Sequence, residues 1–206
     1  TIRYGDAATI WRINLGWART NKRGFQLDPE RGTWGPSRVQ QADGQDGDNP
    51  NQTFTETVVP FVEDRRNLFV LSPVAQLDNS TMATLQAALK QAIQQTYLLE
   101  PAELAAESLP SSVNRRVILF YEAAEGGAGV LRQLLEDPEA FAKVAQRALE
   151  ICHYDPVTGE DNGADAGGGM GCEAACYDCL LEYGNQRDHQ QLDRDLTRDI
   201  LTALTK

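Results

Sequence analysis

Residues 171–189 read GCEAACYDCLLEYGNQRDH and hold three of the four cysteines in the chain. The fourth cysteine lies upstream, so the whole set falls within 152–179. Disulfide scaffolds spread cysteines along short secreted chains, whereas close pairs such as CYDC present two thiolates to one metal ion. The pattern therefore predicts one metal site, and its expected ligands are Cys152, Cys172, Cys176 and Cys179.

Structural zinc is the favoured metal, because four thiolates complete its tetrahedral shell. The spacing C-x3-C-x2-C also occurs in radical S-adenosylmethionine enzymes. Those enzymes build a barrel after the three cysteines, and the 27 residues that follow Cys179 here are too few for one. An iron–sulfur cluster held by all four cysteines is an alternative, as are four thiols without a metal. His153 and His189 lie nearby, and either could replace a cysteine. Since four thiolates are available, both histidines are expected to be neighbours of the site rather than ligands.

Composition indicates a globular domain. The chain has 206 residues, 41% of them hydrophobic, and a net charge of −11. No apolar run reaches the roughly 20 residues that cross a bilayer, so we expect a cytoplasmic domain without a membrane span. The chain starts at Thr1 inside a strand-like run, which suggests a fragment of a larger protein. The negative charge argues against a surface that is wrapped in nucleic acid, since phosphates require Lys and Arg.

Residues 1–40 reverse this charge and hold all three tryptophans of the chain. Arginine beside aromatic rings can contact phosphate while the rings stack on bases. A DNA contact is therefore one interpretation of this segment, and its predicted residues are Arg12, Arg19, Lys22 and Arg23. Alternating Trp and Ile on a strand can also be the core face of that strand. For the individual aromatic side chains we favour the core interpretation.

The overall pattern predicts a mixed α/β (α+β) fold in a single domain. Residues 1–40 form a basic, aromatic β-meander with a bend at Gly32, 41–52 an exposed loop, 53–151 an α/β core, and 152–206 the zinc site with a closing helix. Turn residues and glycines also predict a flexible loop between Cys152 and Cys172. The closing helix is expected to carry an apolar stripe of Leu192, Leu196, Ile200 and Leu204.

Within 53–151 the predicted strands are TETVVPFVED and RRNLFVLSP, joined at 64–66, followed by RRVILFYEAA. The segment AELAAESL fits a helix or a strand, and we favour a strand. One helix is capped by Asp78 or Asn79 and has the apolar stripe Met82, Leu85, Leu89, Ile93 and Tyr97. A helical segment follows EGGAG, and another runs from Asp137-Pro138 towards Ile151.

No catalytic pattern is present. Glycines in EGGAG could bring backbone amides close to a phosphate, but Glu122 and Glu125 would repel it, so a tight strand-to-helix turn is favoured. The chain lacks GxxxxGK[ST], the acidic pair and lysine of a nuclease, and a Ser/His/Asp set. The domain itself is therefore predicted to be non-catalytic.

Three stretches resemble the MrfA-like zinc-binding domain. They are YGDAATIWRINLGW, RRVILFYEAAEGGAGVL and GCEAACYDCLLEYGNQRDHQQLD. That domain lies C-terminal to the motor of certain superfamily 2 helicases and occurs in the DrmB component of a phage-defence system. The resemblance implies that Cys152, Cys172, Cys176 and Cys179 bind zinc. It places Asn185, Arg187, Asp188 and His189 in the same motif, and we expect Asn185, Arg187 and His189 to support the thiolates.

The resemblance also implies a non-catalytic module of an ATP-dependent DNA helicase, of 3′-to-5′ polarity, in DNA repair or phage defence. Its partners would be the rest of the parent helicase and single-stranded DNA, and it would brace the motor or guide a separated strand. The alternative is a protein–protein interaction module of a defence complex. In that case the acidic surface is the contact and DNA is not touched.

Overall fold

The computed structural model describes residues 1–17, 19, 22–34, 55–124, 127–163 and 171–206. The predicted loop 41–52 lies outside this part of the chain, as does 164–170 of the connection between the first two cysteines. The chain divides into two compact units, a division that the predicted boundaries do not include. The larger unit is Thr1–Ala8 with Arg65–Lys206, and the smaller is Thr9–Asp64. Among the described helices, none has the length and apolar character that a bilayer span requires.

The fold is mixed α/β, as predicted. The strands are β1 (Ile2–Ile13), β2 (Phe25–Asp28), β3 (Thr33–Trp34), β4 (Glu56–Val58), β5 (Phe61–Leu71), β6 (Leu104–Ser111) and β7 (Asn114–Glu122). The α-helices are α1 (Asn79–Thr96), α2 (Val130–Glu136), α3 (Ala140–Ile151) and α4 (Asp195–Leu204), and short 3₁₀ turns cover Tyr183–Asn185 and His189–Gln191. The strands form one sheet in the order β1-β5-β7-β6 and another in the order β3-β2-β4.

Helix α1 forms the centre of the core and follows its sequence signals closely. The Asp78 carboxylate accepts a hydrogen bond from the Thr81 amide at 2.9 Å and caps the helix, and this bond lowers the pKa of Asp78. The predicted stripe is confirmed at its four buried positions, Met82, Leu85, Leu89 and Ile93. Helix α1 packs against the strands β6 and β7 and against the helices α3 and α4.

The β6–β7 hairpin confirms the favoured interpretation of AELAAESL as a strand. The two strands are antiparallel, with Ala106 opposite Phe120 and Ser108 opposite Ile118. Both Ile118 and Phe120 are fully buried, so β7 is the central apolar strand that its sequence predicts. Along this sheet β7 also pairs with β5 in antiparallel register.

Two boundaries differ from the prediction. The first two strands of 53–151 are separated at Val59-Pro60 rather than at 64–66. Strand β5 continues without interruption through 64–66. Pro60 has no N–H to donate to a ladder, and its carbonyl accepts instead from the Asn14 amide at 2.9 Å. The closing helix begins at Asp195, so Leu192 of the predicted stripe lies before it. Within the helix Leu201 is buried, whereas Leu196 of the stripe is 39% exposed.

The prediction that the tryptophans form a core face is wrong. Trp11 is 57% exposed, Trp17 71% and Trp34 61%. In the smaller unit, β2 pairs with β3 and β4, and the predicted bend at Gly32 lies between β2 and β3 with a φ of +65°. Two or three short strands bury little apolar surface. The rings of Trp17 and Trp34 therefore remain at the surface of this unit, while the exposed Trp11, on β1, stacks on Phe61 of β5.

The turn that follows β7 is built around the side chain of Glu122. Glu122 is buried, and its carboxylate accepts from the Leu131 amide at 3.0 Å and from the Asn67 side-chain amide at 3.1 Å. A Cβ at Gly127 would overlap the same carboxylate. The carboxylate thus occupies the position at the start of α2 where a phosphate would otherwise be held, which supports the tight-turn interpretation over the phosphate loop.

Candidate metal centre

The CYDC turn brings two thiols together at the surface of the core. The Cys176 amide donates to Cys179 Sγ at 3.0 Å, and the two sulfurs lie 3.4 Å apart. Cys172 Sγ lies 3.7 Å from Cys179 Sγ. A disulfide requires about 2.05 Å, so these are free thiols that converge on one point.

His153 reaches the same point from the end of α3. The His153 amide donates to Glu150 O at 3.0 Å and the Tyr154 amide to Leu149 O at 2.9 Å, which is the hydrogen-bond pattern of a Schellman cap. The left-handed position of this cap normally holds glycine, yet His153 occupies it with a φ of +62°. For a residue with a Cβ this conformation costs about 1–2 kcal/mol. Such strain is typical of residues that a site requires.

Together these four side chains form a thiol–imidazole group, namely His153, Cys172, Cys176 and Cys179, whose ligand atoms all lie within 4.8 Å of one another. His153 Nε2 lies 3.3 Å from Cys176 Sγ. The structure thus brings together three of the four predicted cysteines, and the fourth position of the group is a histidine. Cys152 is fully buried beside the group but does not belong to it, and burial raises the pKa of its thiol to about 12.

The chemistry and spacing of the group fit zinc. Around a tetrahedral zinc ion, thiolate and imidazole ligand atoms lie about 3.5–3.8 Å from one another, given bonds of about 2.3 Å and 2.0 Å. The separations of 3.3, 3.4 and 3.7 Å in the structure are close to these values. Four such donors would fill the shell of a structural zinc ion, which would cross-link α3 and the CYDC turn.

Arg194 is only 3% exposed and links the two arms of this site. One arm is the end of α3 with Cys152 and His153, and the other is the segment that begins at Cys172. Its guanidinium donates to Cys152 O at 3.2 Å and to Cys172 O at 2.9 Å. Two further bonds, of 2.7 and 2.6 Å, reach both oxygens of Asp161. The pair raises the pKa of Arg194 and lowers that of Asp161 to about 2. Arg194 thereby fixes the backbone next to His153 and the backbone of Cys172 with one side chain.

Neighbouring groups hold Arg194 in place. Its guanidinium lies 4.9 Å from the centre of the buried Tyr154 ring, a cation–π contact. The Tyr154 hydroxyl donates to Asp195, and burial raises the pKa of that hydroxyl. A Cβ at Gly163 would lie 3.0 Å from Arg194 Nη1, so the glycine allows close approach. Sequence reasoning missed Arg194, Asp161 and Tyr154, because no local motif links residues so far apart.

The predicted supporting residues act on the backbone after Cys179. Asn185 donates to Leu180 O at 2.8 Å and accepts from the Glu182 amide at 3.0 Å. His189 Nε2 lies 2.9 Å from Asn185 Oδ1 and 3.0 Å from Glu182 O. Arg187 is exposed. Asn185 and His189 therefore order the segment that leaves the CYDC turn, and that their role extends to the thiolates stays a prediction.

Two ion pairs attach this segment to the core. Lys90 Nζ lies 2.7 Å from Glu182 Oε1, and Arg115 Nη2 lies 2.7 Å from Asp188 Oδ1. Arg115 is buried, with 2% of its side chain exposed, and it also donates to Ser108 and to Ser112 O. Burial of a charge is tolerated only when its donors are satisfied, so Asp188 has a structural role in the motif.

The predicted DNA-contact residues lie away from this site in sequence and belong to the smaller unit. All four are exposed, and they are Arg12, Arg19, Lys22 and Arg23. Their exposure is compatible with a contact surface, and the DNA contact itself stays a prediction.

Comparison with known proteins finds a similarity to one zinc-binding domain. Residues 85–180 match the model of the MrfA Zn-binding domain, a range that includes all four members of the thiol–imidazole group. A solved structure described as DUF1998 helicase MrfA bound to DNA matches with a TM-score of 0.43 and 12% identity, over 72% of this chain and 19% of that one. No curated protein matches the chain. This match and the donor chemistry both make zinc the cofactor, and the similarity to the MrfA Zn-binding domain covers residues 85–180.

Proposed function

We propose that the chain is a zinc-stabilised accessory domain of a DNA helicase and that it has no catalytic activity of its own. The thiol–imidazole group carries this proposal, because a filled donor shell within a matched zinc-binding domain is a structural rather than a reactive site. The helicase itself would be an ATP-dependent enzyme of the cytoplasm, and the domain would brace its motor or guide a separated strand in DNA repair or phage defence.

We further propose His153, Cys172, Cys176 and Cys179 as the zinc ligands. In the predicted set of four thiolates, Cys152 stands in place of His153. Cys152 is the C-cap residue of α3, whereas His153 turns away from the helix in a left-handed conformation towards Cys176. Bound zinc would supply a covalent cross-link between the two arms that Arg194 already holds by hydrogen bonds. Such a link contributes to folding free energy outright.

The second candidate function is a protein-interaction module of a defence complex. The net charge of −11 favours it, because an acidic surface repels nucleic acid and can select a basic protein partner. The context of the gene distinguishes the two candidate functions. Helicase motor motifs in the same reading frame would favour the accessory domain, and a separate helicase gene next to it would favour the defence module.

Metal analysis tests the zinc proposal directly. The purified chain is expected to hold about one zinc ion and to lack the absorbance near 400 nm that iron–sulfur clusters show. Replacing Cys179 with serine should remove the zinc and lower the melting temperature sharply, since structural zinc contributes on the order of 10 kcal/mol in small metal modules. Cys152→Ser is the matched control and should keep its zinc. A brown protein, or a Cys179 variant that melts like the wild type, would contradict the proposal.

A further inference from the structure

A cluster of exposed rings marks one surface of the smaller unit. Phe25 on β2 contacts Trp17 and Trp34 edge to face, with ring centroids 6.0 and 6.1 Å apart. Trp17 is 71% exposed and Trp34 61%. We call these three residues the tryptophan face. Clustered exposed aromatic rings are uncommon on a protein surface and are typical of binding sites.

Three cations lie in the segment that carries Trp17. Residues 17–23 read WARTNKR, with three basic side chains and no acidic one, in a chain whose net charge is −11. Arg19, Lys22 and Arg23 are all exposed. The local charge is therefore opposite to that of the whole molecule, and it lies directly beside the rings in sequence.

The backbone closes this segment at its base. The Gly24 amide donates to Leu15 O at 2.8 Å. Gly16 and Gly24 have φ values of +115° and +83°, and a Cβ at Gly16 would lie 3.0 Å from Gly24 O. Because only glycine allows so close an approach in this conformation, the two ends of the segment are held together. The residues next to Trp17 and Arg23 are thus fixed close to each other.

We propose that the tryptophan face and the three cations together bind single-stranded DNA. The rings of Trp17 and Trp34 offer flat surfaces on which unpaired bases stack, and Arg19, Lys22 and Arg23 offer counter-charges to the phosphates. A duplex hides its base faces, so the rings favour a single strand. A purely apolar protein partner would leave the three cations without counter-charges. The choice of DNA rests on the proposed helicase function, whereas the stacking site rests on the rings and charges.

Tryptophan fluorescence can observe this surface selectively, because the chain has three tryptophans, Trp11, Trp17 and Trp34. The double variant Trp11→Phe, Trp34→Phe keeps aromatic rings and leaves Trp17 as the only tryptophan, whose emission is read with excitation at wavelengths that tyrosine does not absorb. Titration of the zinc-loaded chain with oligo(dT) at low salt should give saturable quenching of Trp17. Stacking quenches an indole, whereas a contact to phosphate alone leaves its emission nearly unchanged.

Affinity for a labelled oligo(dT) measures each contribution. Trp17→Ala should weaken binding at least fivefold, the lower end of what one stacked base contributes. The control Tyr183→Ala removes an 87% exposed ring from the larger unit and should leave the affinity unchanged.

The dependence of affinity on salt measures the contribution of the cations. Changing Arg19, Lys22 and Arg23 to Gln should reduce the slope of log affinity against log salt concentration by about 2, since each phosphate contact contributes about 0.7 for a single strand. The same change of charge at Arg116, Arg132 and Arg147 is the matched control.

The outcomes separate this inference from the proposed function. A folded, zinc-loaded chain whose Trp17 is not quenched, or whose Trp17→Ala variant binds as tightly as wild type, would overturn the stacking site and leave the zinc proposal intact. If the parent's motor region shields Trp17 from a soluble quencher and oligo(dT) does not, the surface is a protein contact and the inference is wrong. Quenching in a chain that holds no zinc would support the stacking site while the zinc proposal fails.

Discussion

His153 Nε2 lies 3.3 Å from Cys176 Sγ, although 23 positions separate the two residues in the chain. The contact depends on the left-handed turn at His153, which directs the imidazole away from the axis of α3. Cys152, one position earlier, is fully buried at the end of the helix. Two adjacent donors thus have different environments, and only one of them belongs to the group in which the three thiols converge.

Arg194→Gln should lower zinc affinity by about 10- to 100-fold, as expected for a residue that positions metal ligands from outside the shell. The substitution removes the bonds to Cys152 O and Cys172 O, so the two arms lose their common partner. Competition with a chromophoric chelator measures the affinity. Arg198→Gln is the control, because Arg198 lies in the helix that follows Arg194, 5.8 Å from the centre of the Tyr154 ring, but is about half exposed.

A change confined to the melting temperature, with unaltered zinc affinity, would show that Arg194 is structural only. The cobalt-substituted protein gives a second readout. If Arg194 positions the ligands, the visible spectrum of bound cobalt should change in Arg194→Gln and stay the same in Arg198→Gln.

Gly127→Ala should destabilise the larger unit more than Gly129→Ala does. Both glycines have positive φ, of +65° and +75°. A Cβ at Gly127 overlaps the buried Glu122 carboxylate, whereas one at Gly129 meets nothing within 4 Å. The Gly129 variant should therefore show only the conformational cost of about 1–2 kcal/mol, and the Gly127 variant a further 1–3 kcal/mol for displaced side chains. Urea denaturation of both variants measures the difference, and equal free energies of unfolding would contradict this account of the turn.

Zinc affinity should rise steeply with pH. Burial raises the pKa of Cys172 and of Cys179, so both thiols are protonated at neutral pH in the metal-free domain and must release their protons to bind zinc. The release of these two protons gives a slope of at least about 2 in a plot of log affinity against pH near neutral pH. A slope near zero would contradict this account. Competition titrations across this range measure the slope.

The parts of the fold that depend on local patterns could be predicted from the sequence. The stripe of α1 and the apolar run of β7 determine burial directly, and the cysteines of 171–189 are close enough in sequence to mark a metal site. The identity of the fourth donor depends on one backbone angle at His153, which no spacing reveals. Arg194 and Asp161 meet only in the folded chain. Trp17 and Trp34 belong to a unit whose small three-stranded sheet cannot cover them.

X-ray absorption at the zinc edge tests the central claim most directly, since it counts sulfur and nitrogen ligands separately. The wild-type chain is expected to show three sulfur atoms at about 2.3 Å and one nitrogen at about 2.0 Å. Cys152→Ser should leave this spectrum unchanged, and His153→Ala should lose the nitrogen contribution. A shell of four sulfur atoms in the wild type, reduced to three in Cys152→Ser, would contradict the account and restore Cys152 as the fourth ligand.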